Sequence, residues 1–252
     1  MVYNQDRGAP DNNKNIDVVI LCGGKGTRMY PLTADIPKPM VPIGEKPVLE
    51  HIIRNYQKCG FKNFKLCVGH KKEHIINHFE NLDPDLNLQC IDTGEETNTA
   101  ERLWKVKDVI SDDFFLNYAD VLHNANFADM YDAFKQRKKM AAMLVIPLRT
   151  AYGIMHLDDD NYSFNYEEKP TFFNMWTNAG SLLFNKEIFR HWDLVDSDFS
   201  RGMITKLAKM NEFYGYKHTG FWSGMDTVKE NELLNGMWAD KKARWADIIN
   251  LT

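Results

Sequence analysis

Val18-Val19-Ile20-Leu21-Cys22-Gly23-Gly24-Lys25-Gly26-Thr27-Arg28-Met29 is the stretch that decides the fold of this chain. Its opening residues form an apolar, largely β-branched run, the composition of a strand buried on both faces. The run stops at Gly23-Gly24, and Gly26 follows after one residue. Where no Cβ intervenes, backbone N–H groups come close to an anion, so the stretch reads as a buried strand opening into a phosphate-cradling loop. Taken alone, the three glycines fit a plain tight turn equally well. Arg28 and, ten residues later, Lys38 in Pro37-Lys38-Pro39 add two cations on either side. Moving a phosphoryl centre without covalent help from the protein requires such fixed charges. The pattern is neither G-x-G-x-x-G nor G-x-x-x-x-G-K-[ST], which argues against a dinucleotide fold and a P-loop ATPase.

Outward from this loop, strand-like and helix-like segments alternate: 17–22, 48–58, 64–68, 73–79, 88–91, 100–106, 114–118, 127–138 and 142–147. Such alternation predicts βαβ units, hence an α/β fold with a Rossmann-like, mostly parallel sheet flanked by helices. From Gly153 onward the texture changes to short strands at 154–157, 163–166 and 179–184. A helix near 204–209, a strand at 213–217 and a closing helix near 228–239 follow, which predicts a smaller mixed β lid over the strand ends. No repeat or long linker separates the halves, so residues 16–252 read as one domain with a seam near residue 150. Residues 1–15, rich in Asn and Asp, read as a flexible amino terminus.

The 252 residues are 44% hydrophobic and 26% charged, with a net charge of −4. That balance gives no general attraction to nucleic acid or anionic membrane, so an anion site must be local. Cys22, Cys59, Cys67 and Cys90 form no C-x-x-C pair and lie in or beside apolar runs, as buried free thiols do. With no signal-peptide h-region and no apolar run of roughly 18 residues, the expectation is a cytoplasmic protein.

Asp120 ends the apolar run 115–120, at the carboxyl end of a strand where ligands of parallel sheets bind. It suits either the N-cap of a following helix or a hard cation. Asp226, in Gly220-Phe221-Trp222-Ser223-Gly224-Met225-Asp226-Thr227, precedes another helix. Two such acids beside a triphosphate suit Mg²⁺. Glu167-Glu168-Lys169-Pro170 by itself reads as a solvated charged turn.

The segment from Leu21 to Thr33, with Pro37-Lys38-Pro39-Met40, resembles the signature of the sugar-1-phosphate nucleotidyltransferases. The ending Gly220–Thr227 with Gly236-Met237-Trp238 and Trp245, and the segment Ile91-Asp92-Thr93-Gly94 followed by Thr97, Thr99 and Arg102-Leu103, resemble the glucose-1-phosphate cytidylyltransferase branch. The resemblance runs from residue 16 onward. It implies a nucleotide-binding half over about 16–150 and an acceptor-binding half over about 151–252. Leu21, Gly23, Gly24, Gly26 and Thr27 would then cradle the nucleotide, Thr97 and Arg102 would serve its base side, and Arg28 and Lys38 would act on the triphosphate. Asp120 and Asp226 would hold Mg²⁺. Gly153, Glu168, Lys169, Asn178 and Gly180 would meet the acceptor.

The implied reaction transfers NMP, most readily from CTP, to a hexose 1-phosphate and releases pyrophosphate. It serves nucleotide-sugar and polysaccharide biosynthesis, in a homo-oligomer without nucleic-acid or membrane partners. UTP, dTTP or GTP as donor, a non-hexose or phosphonate acceptor, and a non-catalytic nucleotide-sensing subunit are the competing readings. Where the cytidylyltransferase branch has Gly-Gly before its arginine, this chain has Ala100-Glu101. Glu101 could accept a hydrogen bond from the cytosine amine or face solvent.

Overall fold

The computed structural model describes residues 15–80, 82–192 and 199–246. The flexible stretch expected over 1–15 lies outside them except for Asn15. In chain order the elements are β1 (Asp17–Leu21), β2 (Pro42–Ile43), β3 (Lys46–Pro47), α1 (Val48–Lys58), β4 (Asn63–Val68), α2 (Lys72–Phe79), β5 (Asn87–Asp92), α3 (Thr99–Val106), β6 (Asp113–Tyr118) and β7 (Val121–His123). There follow α4 (Phe127–Arg137), β8 (Ala141–Arg149), β9 (Ile154–Leu157), β10 (Ser163–Glu167), β11 (Thr171–Asn185), α5 (Thr205–Lys209), β12 (Phe213–Lys217), β13 (Trp222–Gly224) and α6 (Val228–Ala239).

Seven strands form the central sheet in the order β12-β8-β11-β6-β1-β4-β5. All neighbours pair in parallel except β11, which runs antiparallel to both β6 and β8. The α/β, mostly parallel expectation holds. β11 and β12 extend this main sheet, so the small mixed β part consists of the β9–β10 hairpin and the β7–β13 pair.

β1 sits deep in the sheet because both its faces are apolar. Val18 and Ile20 enter one core layer and Val19 the other, the period of two that a pleated strand imposes. In α1, Leu49, Ile52, Ile53 and Tyr56 are spaced three and four apart and bury one helical face. Gly60 at φ 91° ends that turn. Tyr56 stacks on Phe127 of α4 with ring centroids 3.5 Å apart, tying two helices of one face together. Cys22, Cys59 and Cys67 are buried free thiols and Cys90 is a half-buried one, as expected.

The chain leaves β1 for β4 and β5 on one side, then returns to β6 on the other. The carboxyl ends of β1 and β6 therefore flank a point where strand order reverses, the crevice in which such sheets bind ligands.

Candidate active site

The crevice between β1 and β6 holds a cavity of about 210 Å³ lined by Leu21, Gly24, Arg28, Lys38, Tyr118 and Asp120, among others. β1 gives way to the loop directly after Cys22, whose N–H still donates to the Cys67 carbonyl at 3.1 Å. Gly26 adopts φ +61°, and a Cβ there would stand 2.6 Å from the Lys38 Cβ. Only glycine satisfies both conditions, so the loop can lie directly against the Lys38 turn. Nothing stands within 4 Å of a Cβ placed on Gly24, which leaves its backbone open to the cavity. Thr27, Arg28 and Met29 form a short 3-10 turn that carries Arg28 to the rim.

Asp120 and Asp226, 106 residues apart in sequence, meet through the antiparallel β7–β13 pair. Val121 lies opposite Gly224, and the Met225 N–H donates to the Asp120 carbonyl at 2.8 Å. The Lys38 ammonium stands between the two carboxylates, 2.5 Å from Asp120 Oδ2 and 2.7 Å from Asp226 Oδ1. Arg28 adds a third ion pair, 2.9 Å from the same Asp226 oxygen. The helix-cap alternative for Asp120 is thereby corrected: Asp120 leads into β7, and α4 is capped by Asn126, whose side chain accepts from the Ala128 and Asp129 N–H groups. Asp226 caps nothing either, because α6 starts with a capping box between Thr227 and Glu230.

On the nucleotide side the structure corrects the reading of Arg102 and favours the solvent-facing alternative for Glu101. Arg102 does not offer a free guanidinium to a base. It is buried, and it donates to the carbonyls of Gly23, Val68, Gly94 and Glu95 and to the Thr93 hydroxyl at 2.6–3.3 Å. The guanidinium stitches the glycine loop to the loop after β5, and it touches the place a Gly23 Cβ would take. Glu101 accepts from the Asn98 N–H while Asn98 accepts from the Glu101 N–H, so this side chain caps α3. Thr97 donates to the Thr93 carbonyl and accepts from Lys105. Two further ties escape any sequence signal: Lys25 to Glu96 and His70 to Glu95, each at 2.6 Å.

The acceptor candidates fall in two places. Gly180, at φ +86°, packs against Val121, next to Asp120. Asn178 accepts from the Gly180 N–H at 2.8 Å, and Trp222 donates to the Ala179 carbonyl, so this irregular stretch of β11 is pinned beside β13. Gly153, Glu168 and Lys169 lie at the base of the β9–β10 hairpin, where Glu168 and Lys169 are exposed and 3.7 Å apart.

The structure thus gathers a glycine loop, two cations and two carboxylates in one crevice, the equipment for holding and moving a polyphosphate. Comparison with known proteins agrees. The nucleotidyl transferase family model matches residues 17–248. Glucose-1-phosphate cytidylyltransferase of Salmonella typhi is 30% identical over 90% of this chain and 97% of its own length. The probable glucose-1-phosphate cytidylyltransferase of Bacillus subtilis is 32% identical over 90% and 98%. Among solved structures, a putative glucose-1-phosphate thymidylyltransferase from Bacillus anthracis has the same fold, with a TM-score of 0.71 at 17% identity, covering 91% of this chain and 95% of that one. The chain belongs to the nucleotidyl transferase family, and within it to the sugar-1-phosphate nucleotidyltransferases. No helix among the described residues is long and apolar enough to cross a membrane.

Proposed function

We propose that this enzyme transfers CMP from CTP to a hexose 1-phosphate, with Mg²⁺, releasing pyrophosphate and a CDP-sugar, and that it works as an oligomer of identical chains. The observation that carries the chemistry is the convergence of Asp120 and Asp226 on one positive charge beside the glycine loop. An ammonium already seated between both carboxylates marks a spot where two hard oxygen ligands meet a cation. The donor set fits Mg²⁺, which takes one or two carboxylates and completes its shell with water and phosphate oxygens. When bound by Asp120 and Asp226, the metal would draw charge from the reacting phosphate oxygens.

The protein's own part is positioning and electrostatics. Backbone N–H groups of the loop Gly23–Thr27 hold the polyphosphate at the end of β1. Arg28 and Lys38 offset the charge that grows on the departing pyrophosphate. Lys169 neutralises the acceptor phosphate so that two anions can approach, and an oxygen of that phosphate attacks the α-phosphorus in line as the bond to pyrophosphate breaks. Glu168, Asn178 and the backbone at Gly153 and Gly180 orient the sugar. All these roles are filled in this chain, which favours turnover over a sensing subunit.

CTP is favoured over UTP, dTTP and GTP because relatives at 30–32% identity over 90% of the chain are cytidylyltransferases. Arg102 and Glu101, engaged in loop and cap contacts, present no free side chain for selecting the base. The test is pyrophosphate release with four nucleoside triphosphates crossed against hexose 1-phosphates. CTP should give the highest kcat/KM, and equal use of CTP and UTP would end the cytidylyl reading while leaving the transfer chemistry in place.

A further inference from the structure

Gly153 is not in a left-handed conformation, so its backbone alone does not explain why it is glycine. Space does. A Cβ on Gly153 would stand 2.0 Å from the Tyr166 hydroxyl oxygen and 2.4 Å from its ring carbon Cζ. Tyr166 lies on the neighbouring strand, where it pairs with Met155 while Glu167 pairs with Ile154. Its phenol therefore crosses diagonally to β9 and closes over the bare Cα of Gly153. From there the hydroxyl donates to Glu168 Oε2 at 2.6 Å. The other Glu168 oxygen faces the Lys169 ammonium at 3.7 Å.

No core demand explains this tyrosine, because every residue of β10 is exposed. The hydrogen bond to Glu168 pushes the phenol's pKa further up from its ordinary value. An exposed glutamate ordinarily samples many rotamers, and fixing one costs conformational entropy at the moment of binding. Here that rotamer is fixed in advance by an aromatic lever resting on a glycine.

We infer that Tyr166 is a positioning residue for the acceptor: lodged over Gly153, it holds the Glu168 carboxylate in one orientation toward the sugar hydroxyls and thereby sets which hexose 1-phosphate is accepted. This rests on the acceptor placement of Glu168 and Lys169 proposed above. A pre-oriented carboxylate distinguishes epimers whose hydroxyls point differently, whereas a swivelling one follows either.

The test uses the full chain with Tyr166→Phe, Gly153→Ala, the double variant and Glu168→Gln. Glucose, mannose and galactose 1-phosphates are the probes, under saturating nucleoside triphosphate. Tyr166→Phe should raise the KM of the preferred sugar phosphate about tenfold, the scale of one hydrogen bond to a charged group. Discrimination between epimers should narrow, while the KM for the nucleotide and the thermal midpoint stay put. Gly153→Ala, which evicts the phenol, should give the same phenotype, and the double variant should be no worse than either single one. If Glu168→Gln raises the acceptor KM and Tyr166→Phe changes neither that KM nor epimer selectivity, the inference is overturned alone. If Glu168→Gln is without effect on the acceptor, the placement of the acceptor falls and this inference falls with it.

Discussion

Single residues in this protein are decided by what surrounds them, and Glu101 and Arg102 are the clearest instance. Both lie in a segment that resembles a nucleotide-binding signature, which assigns Arg102 to the base side and leaves Glu101 between the base and solvent. The helix start decides between the two. Asn98 stands three residues before Glu101, the spacing of a capping box, and the structure forms that box in full. That signal was available in the sequence. The burial of Arg102 was not, because its four carbonyl partners come from the glycine loop, the end of β4 and the loop after β5. Glu101→Ala should therefore leave the ratio of kcat/KM for CTP and UTP unchanged and cost about 1 kcal/mol in urea unfolding, the scale of one lost cap contact. A shift of several-fold in that ratio would return Glu101 to the base pocket.

Among the elements, the segments built on local periodicity were legible: α1, α6, β9 and β12 span 48–58, 228–239, 154–157 and 213–217, as read from the sequence. β11 is far longer than the expected 179–184, because bulges between Phe172 and Trp176 and between Asn178 and Leu182 break the alternation that marks a strand. The β7–β13 pair was invisible for a different reason. Its two three-residue strands carry no periodicity, and pairing across a hundred residues leaves no local trace.

β7 also carries a buried histidine whose state is set by its neighbours. His123 Nδ1 accepts from the Ala125 N–H at 3.3 Å, and its Nε2–H donates to the Ser181 hydroxyl at 2.9 Å, which in turn donates to Asn117. Tyr56 donates to the same Asn117 oxygen. Burial, reinforced by His218 with its ring centre 6.1 Å away, pushes the His123 pKa down to about 3. The folded protein holds His123 neutral, whereas the unfolded chain protonates it near pH 6.5. Its contribution is therefore complete above about pH 6.5 and is lost as pH falls towards 3, with a slope of up to about 1.4 kcal/mol per pH unit. Buried His51 and half-buried His218, also pushed down by desolvation, act with the same sign. Urea unfolding of His123→Gln between pH 6.5 and 4.5 should show a shallower slope than the parent. An identical slope would mean that His123 is not the group that titrates.

For the whole molecule, the sheet topology is what turns scattered motifs into one site. Strand order reverses between β1 and β6, so the glycine loop and Asp120 share one crevice, and the β7–β13 pair delivers Asp226 to it. Alternating segments and the glycine loop made the sheet and its binding edge legible. The ion pairs of Lys38 with both acids were not, since their geometry exists only once β7 and β13 have paired. We propose above that Asp120 and Asp226 together bind the cation of a transferase. Asp226→Asn is the decisive variant, because the amide keeps the volume but removes the charge. Pyrophosphate release should be measured against Mg²⁺ concentration in parent and variant, with thermal unfolding alongside. Activity should require Mg²⁺ in the parent, and in the variant kcat should fall by about 10²–10³ at saturating metal, the scale of one lost electrostatic element. The fold should be intact and stability within about 1 kcal/mol, as for a partly exposed ion pair. A variant that turns over like the parent at limiting Mg²⁺ would contradict that proposal.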